Sequence, residues 1–149
     1  MKRLLLSSFL FGVFVLSACS SGVNDVKPVE ANNIKEVCLK GSIRKAPDEI
    51  IDPSVKLYFG KPAPGKVIKA GLVSNKKTNA ANKSDEKSCQ WAFLSTVKQF
   101  QDRAKSQGAS KVGNIVSYYK KHAYQSSTQY ECHAGNLMSG VALKGDIVK

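Results

Sequence analysis

The sequence predicts an α+β fold: one long helix packed on a mainly antiparallel sheet of four to five strands, after a signal peptide and a flexible tether. Three observations carry that prediction. Within "SDEKSCQWAFLSTVKQFQDRAKSQG", Cys89, Ala92, Phe93, Val97, Phe100 and Ala104 recur every three or four residues and make one apolar helical face. Five segments with alternating or β-rich content, two before this helix and three after it, supply strands for that face to cover. The order strand, strand, helix, strand, strand, strand lacks the regular alternation of a parallel α/β fold, so an antiparallel sheet is expected.

The elements follow in chain order. Residues 1–18 combine Lys2 and Arg3, an apolar run from Leu4 to Leu16 and small residues, which reads as a secretory signal too short to span a bilayer. Residues 19–33 are small or polar and read as a tether. A single domain is expected over 34–149, because 131 residues remain after residue 18. Its first part, "NNIKEVCLKGS", reads as a short helix with Ile34, Val37 and Cys38 on one side, and Pro47 to Ile51 as a proline-led turn.

From Val55 the pattern sharpens. "VKLYF" is a strand, "GKPAPG" a turn with four Gly or Pro in six residues, and "KVIKAGLVS" a second strand. "NKKTNAANK" is polar and reads as a loop. Ser84 is placed to cap the helix, with Asp85 and Glu86 in its first turn and Lys105 near its end before Gly108, the charge order that the helix dipole favours. "KVGNIVSYY", "QYECHAG" and "NLMSGVALKG" complete the strands, and no repeat of solenoid or propeller period occurs.

The leader ends Leu16-Ser17-Ala18-Cys19, which resembles the lipobox of bacterial lipoproteins. The resemblance implies cleavage before Cys19 and acylation of its thiol and new amino group. Acyl chains stabilise membrane attachment by about 0.8 kcal/mol per buried methylene, enough for several to hold a domain that has no spanning helix. Ser20 stands where lipoproteins kept at the inner membrane commonly carry Asp, so the resemblance points to the outer membrane, periplasmic face.

Charge narrows the partners. The chain has 23 Lys and Arg against 11 Asp and Glu, a formal net charge of +12, and loss of Lys2 and Arg3 with the leader leaves +10. A basic exported domain meets anionic lipid, lipopolysaccharide, cell-wall polymer or an envelope protein; nucleic acid is not an expected partner. "GKPAPGKV" lies one residue from a phosphate-binding loop, but Val67 replaces the hydroxyl, Pro62 and Pro64 remove two backbone donors, and a strand follows where a helix is needed. No nucleotide or other cofactor is expected.

Once Cys19 is committed to lipid, Cys38, Cys89 and Cys132 remain, which allow one bridge and one leftover thiol. Cys89 with Cys132 is preferred, since the first lies on the inward face of the helix and the second on a strand that the helix can cover; pairing of Cys38 with either stays open. Such a bridge stabilises by about 2–4 kcal/mol. His122 and His133 are the only histidines, and adjacent Cys132 and His133 point to opposite faces of a strand, so they do not converge on one ion. No metal-ligand spacing, nucleophile elbow or catalytic carboxylate pair occurs. "SYYKKHAYQSSTQY" gathers Tyr118, Tyr119, Lys120, Lys121, Tyr124 and Tyr130. It reads as a surface for an anionic ligand or partner, or as a hairpin with cross-strand aromatic pairs and a charged tip.

"VKLYFG", "GLVSNKKTNA", "SDEKSCQWA", "GASKVGNIVSYYKK", "YECHAG" and "GVALKGD" together resemble a family of small exported proteobacterial proteins of unknown function, often labelled as similar to the ATPase component of the ABC excinuclease. That excinuclease component is a large cytosolic zinc-containing protein, and the features of this chain do not match its chemistry. More distantly, the strand, the "SCQ" that leads a helix, the Gly-Ala turn and the cysteine-bearing strand are similar to the RcsF family of outer-membrane lipoproteins that sense envelope stress. That similarity implies a lipid on Cys19 and a Cys89–Cys132 bridge; the RcsF family has four cysteines beyond the lipidated one, this chain three. The expected function is a non-catalytic binding, structural or stress-sensing module of the envelope. The alternative is a small-ligand or metal-binding domain that uses Cys38, His122 or His133.

Overall fold

In the computed structural model the described residues are 25–26, 36–43 and 51–149. The signal peptide, Cys19, most of the tether and the turn read from Pro47 lie outside them. The elements are β1 (Asp25–Val26), β2 (Glu36–Ser42), β3 (Lys56–Phe59), β4 (Val67–Asn79), α1 (Asp85–Ser106), β5 (Lys111–Ser117), β6 (Gln129–Gly135) and β7 (Met138–Val148). The fold is α+β, with one helix on a mixed sheet in which only β3 and β5 run parallel.

β7 is the hub of this sheet. β4 pairs along one of its edges from Val67 opposite Val148 to Asn79 opposite Met138. Its other edge is shared, β6 taking Ser139 and Gly140 and β5 taking the stretch from Leu143 to Val148. The sheet therefore forks where β5 and β6 part. Ser117 holds the fork: it exchanges backbone bonds with Tyr124, and its Oγ accepts from the Glu131 N–H at 2.9 Å. β2 extends the β6 side through seven paired positions, Glu36 opposite Gly135 to Ser42 opposite Gln129, and β1 caps it.

The structure corrects four of these expectations. The sheet has seven strands among the described residues, beyond the four to five expected, because β1 and β2 join it. "EVCLKGS" is strand, not helix: continuous pairing with β6 outweighs a short helix that would carry Gly41 in its interior. Asp25 and Val26, inside the segment read as tether, pair with Cys38 and Val37. Asn75–Asn79, read as loop, finish β4, since an edge strand tolerates a polar run that a central strand does not.

α1 forms as its sequence predicts. The Ser84 side chain accepts from the Lys87 N–H at 3.2 Å, Asp85 and Glu86 fill the first turn, Arg103 and Lys105 the last, and Gly108 turns the chain at φ 64°. All six residues of its predicted face are buried, against Val112, Ile115, Tyr130, Cys132, Val141, Leu143 and Ile147. Phe93 stacks on Tyr130 with ring centres 4.0 Å apart. Tyr130 in turn lies over Gly41, its partner across β2 and β6, where a β-carbon would clash with the hydroxyl-bearing edge of the ring. Gly41→Ala is expected to destabilise by about 1–3 kcal/mol through overpacking, read as a lower denaturant midpoint at unchanged slope.

The segment before β3 is pinned to α1 by polar contacts. Buried Gln101 donates to the carbonyls of Asp52 (2.8 Å) and Val55 (3.1 Å) and accepts from the Asp52 N–H (3.0 Å). Lys105 Nζ reaches Asp52 at 2.6 Å, and the Ser54 hydroxyl and N–H donate to the other carboxylate oxygen. The Lys105 hydrogen bond first, then those from Ser54, hold the Asp52 carboxyl well below the usual carboxylate range. Asp52 therefore adds stability above its unfolded pKa, about 3.9, and loses it as pH falls through the lower folded value. Melting of Asp52→Asn against the parent is expected to show a gap that is constant near neutral pH, closes in strong acid and narrows with salt.

Candidate functional site

The turn "GKPAPG" lies across β5. The Gly60 N–H donates to Ile115 O (2.9 Å), Asn114 N–H to Lys61 O (2.8 Å), and Lys66 and Lys149 exchange backbone bonds at 3.0 Å. Ala63 sits against Gly113 closely enough to leave no space for a β-carbon there. The Gly60 and Lys66 N–H groups are thus used inside the fold, and β4 follows, as expected of a loop between two strands.

Tyr118 and Tyr119 of the tyrosine cluster fall on the sheet face opposite α1, while Tyr130 lies beneath the helix. The cluster is not a hairpin with cross-strand aromatic pairs, because the hairpin is β6–β7, closed by Asn136 and Leu137, while β5 and β6 each pair with β7. The chain after β5 instead makes a 3-10 turn at Tyr119–Lys121, with Lys120 (φ 49°) and Lys121 (φ 66°) in the left-handed region. Its rings are engaged. Tyr119 stacks on His133 at 3.4 Å with Lys120 Nζ 5.4 Å from its ring, and Tyr118 lies 5.0 Å from Lys144 Nζ. The Tyr124 hydroxyl donates to Gln129 Oε1 at 3.1 Å, and Tyr130 belongs to the core. Lys121 and His122 are exposed. Beside Tyr119 and His133, a hollow of about 160 Å³ is bordered by Asn75, Lys77 and Met138. These contacts dock the loop onto the sheet.

Cys132 points to the helix side and bonds Cys89, Cα atoms 5.8 Å apart, while His133 lies on the opposite face. The strand alternation that separates them is thus observed. Cys38 is the register partner of His133. Among the described residues no three His, Cys, Asp or Glu side chains converge as a metal site would need. No helix among them is long and apolar enough to cross a membrane.

A positively lined groove is one feature that sequence reading missed. Between α1 and β4 runs a groove of about 650 Å³ lined by Lys76, Lys77, Lys98, Arg103, Gln99 and Asp102, with Ser95 and Ser106 beside them. Its one carboxylate, Asp102, is 3.3 Å from Lys98, a helical i,i+4 pair exposed on both sides. The wall is set by buried Ser74, whose hydroxyl donates to Thr96 O (3.1 Å) and lies 2.6 Å from Gln99 Oε1, and by Arg103, which donates to Val73 O at 3.2 Å. The signal was the pair Lys76-Lys77 next to a strand and Lys98 and Arg103 on one side of the helix; reading 75–83 as a loop hid it.

Searches of protein-family models, curated proteins and solved structures find no match to this chain.

Proposed function

We propose that the protein is a lipoprotein held by acyl chains on Cys19 at the periplasmic face of the outer membrane, and that its domain is a non-catalytic binding module for an anionic partner. The observation that carries this reading is the α1–β4 groove, where Lys76, Lys98 and Arg103 lie around one already paired carboxylate and Lys77 borders the strand edge. Cations placed so raise the local concentration of an anionic surface such as lipopolysaccharide, cell-wall polymer or an acidic envelope protein. The motif ending in Cys19 and the resemblance to small exported proteins support the address. The Cys89–Cys132 bridge suits an oxidising compartment.

The test has two parts. The mass of the chain from isolated membranes should show cleavage before Cys19 and added acyl groups; an uncut, unmodified chain in the cytosol would end the anchoring claim. Binding to lipopolysaccharide vesicles should weaken with salt and with Lys76→Glu plus Lys77→Glu. Stoichiometric metal after chelator-free purification, with salt-independent behaviour, would favour the metal-binding alternative.

A further inference from the structure

The groove borders a strand edge that is open over only part of its length. Along β4 from Leu72 to Asn79 the pairing with β7 is regular, so alternate residues turn their N–H and C=O groups toward β7 and away from it. Two contacts fix which set points away: Arg103 donates to Val73 O (3.2 Å) and Lys83 Nζ to Asn79 O (3.1 Å), both from outside the sheet. On β7, Ala142, opposite Asn75, gives its carbonyl to Tyr118 N–H on the far side, as that phase requires. Val73, Asn75, Lys77 and Asn79 therefore face outward. Side chains cap the two end carbonyls, and between them the N–H and C=O groups of Asn75 and Lys77 have no partner among the described residues. Lys98 and Ser95 of α1 and Lys76 of β4 line the groove beside this gap.

We infer that this edge is a strand-addition site, and that its occupant is an acidic, extended segment of another polypeptide. Such a segment would pair with the backbone of Asn75 and Lys77 and set alternate carboxylates against Lys76, Lys98 and Arg103. A second copy fits poorly, because it would bring Lys76 and Lys77 against their equivalents, and like charges across adjacent strands repel. Arg103 and Lys83 close the rest of the edge, which limits pairing to a short stretch. The inference rests on the anionic-partner reading above and adds the backbone pairing to it.

The probe is a synthetic peptide of alternating glutamate and threonine, titrated into the full chain purified from membranes. Binding is expected to slow hydrogen exchange at the Asn75 and Lys77 amides. N-methylation of one alternate set of peptide residues should weaken binding at least tenfold, and of the other set should not. Asn75→Pro, which removes an outward N–H where proline is tolerated on an edge, should weaken it similarly with the melting temperature unchanged. Equal binding of both methylated peptides with unchanged exchange would overturn strand addition while the charge-based reading stands. Failure of the peptide and of lipopolysaccharide vesicles alike would remove both. A dimer in sedimentation whose Asn75 and Lys77 amides are protected without peptide would overturn the assigned occupant.

Discussion

Replacing Cys89 and Cys132 together by alanine is expected to lower the unfolding free energy by about 4 kcal/mol. The bridge joins residues 43 apart in sequence, and the chain-entropy relation for a loop of that length gives roughly this value. It links the first turns of α1 to the middle of β6, two elements that otherwise meet only through side chains. For a domain of this size the loss corresponds to a fall in melting temperature of about 10–20 °C. Both cysteines are almost fully buried, so reductant is expected to act slowly on the native protein and at the rate of unfolding. Replacement of one cysteine alone leaves a buried thiol, so the double variant is the cleaner comparison. A drop below about 1 kcal/mol, from denaturant curves of the parent and double variant, would show that the unbridged chain is already constrained.

What the sequence revealed and what it hid divide by locality. α1 was legible because its determinants sit within one stretch: a capping Ser84, acidic then basic ends, and an apolar face whose spacing needs no partner to be seen. The bridge was legible because that face put Cys89 inward and strand alternation put Cys132 inward. β7 as hub was not, because pairing order depends on contacts far apart in sequence, and "NLMSGVALKG" looks like any other strand. The end of β4 was hidden for another reason. "NKKTN" has no apolar alternation, since an edge strand with one side open to water needs charge and polarity more than burial. The basic groove disappeared with it, as two of its four cations lie in that stretch. The partners of the tyrosines were hidden because composition reveals aromatic character but not occupancy: His133 and Lys144 come from β6 and β7 to meet Tyr119 and Tyr118.

Phe93→Ala is expected to cost about 3–5 kcal/mol, comparable with loss of the bridge, by a different physical route. The ring is 1 % exposed, stacked on Tyr130 at 4.0 Å and tilted against Phe59 at 5.8 Å, so its removal leaves a cavity between α1, β3 and β6. Neighbouring Trp91, 44 % exposed, provides the control: Trp91→Ala should cost clearly less than Phe93→Ala, although the side chain is larger. The two routes also share ground. Cys89 lies one helical turn before Phe93, and Cys132 two residues after Tyr130, all within one core cluster. Disulfide loss acts mainly by freeing the unfolded chain, and the cavity acts on the folded one. If that division holds, the combined variant in denaturant should lose nearly the sum of the two. A coupling beyond about 1 kcal/mol would mean that the bridge also sets how tightly Phe93 and Tyr130 are held together.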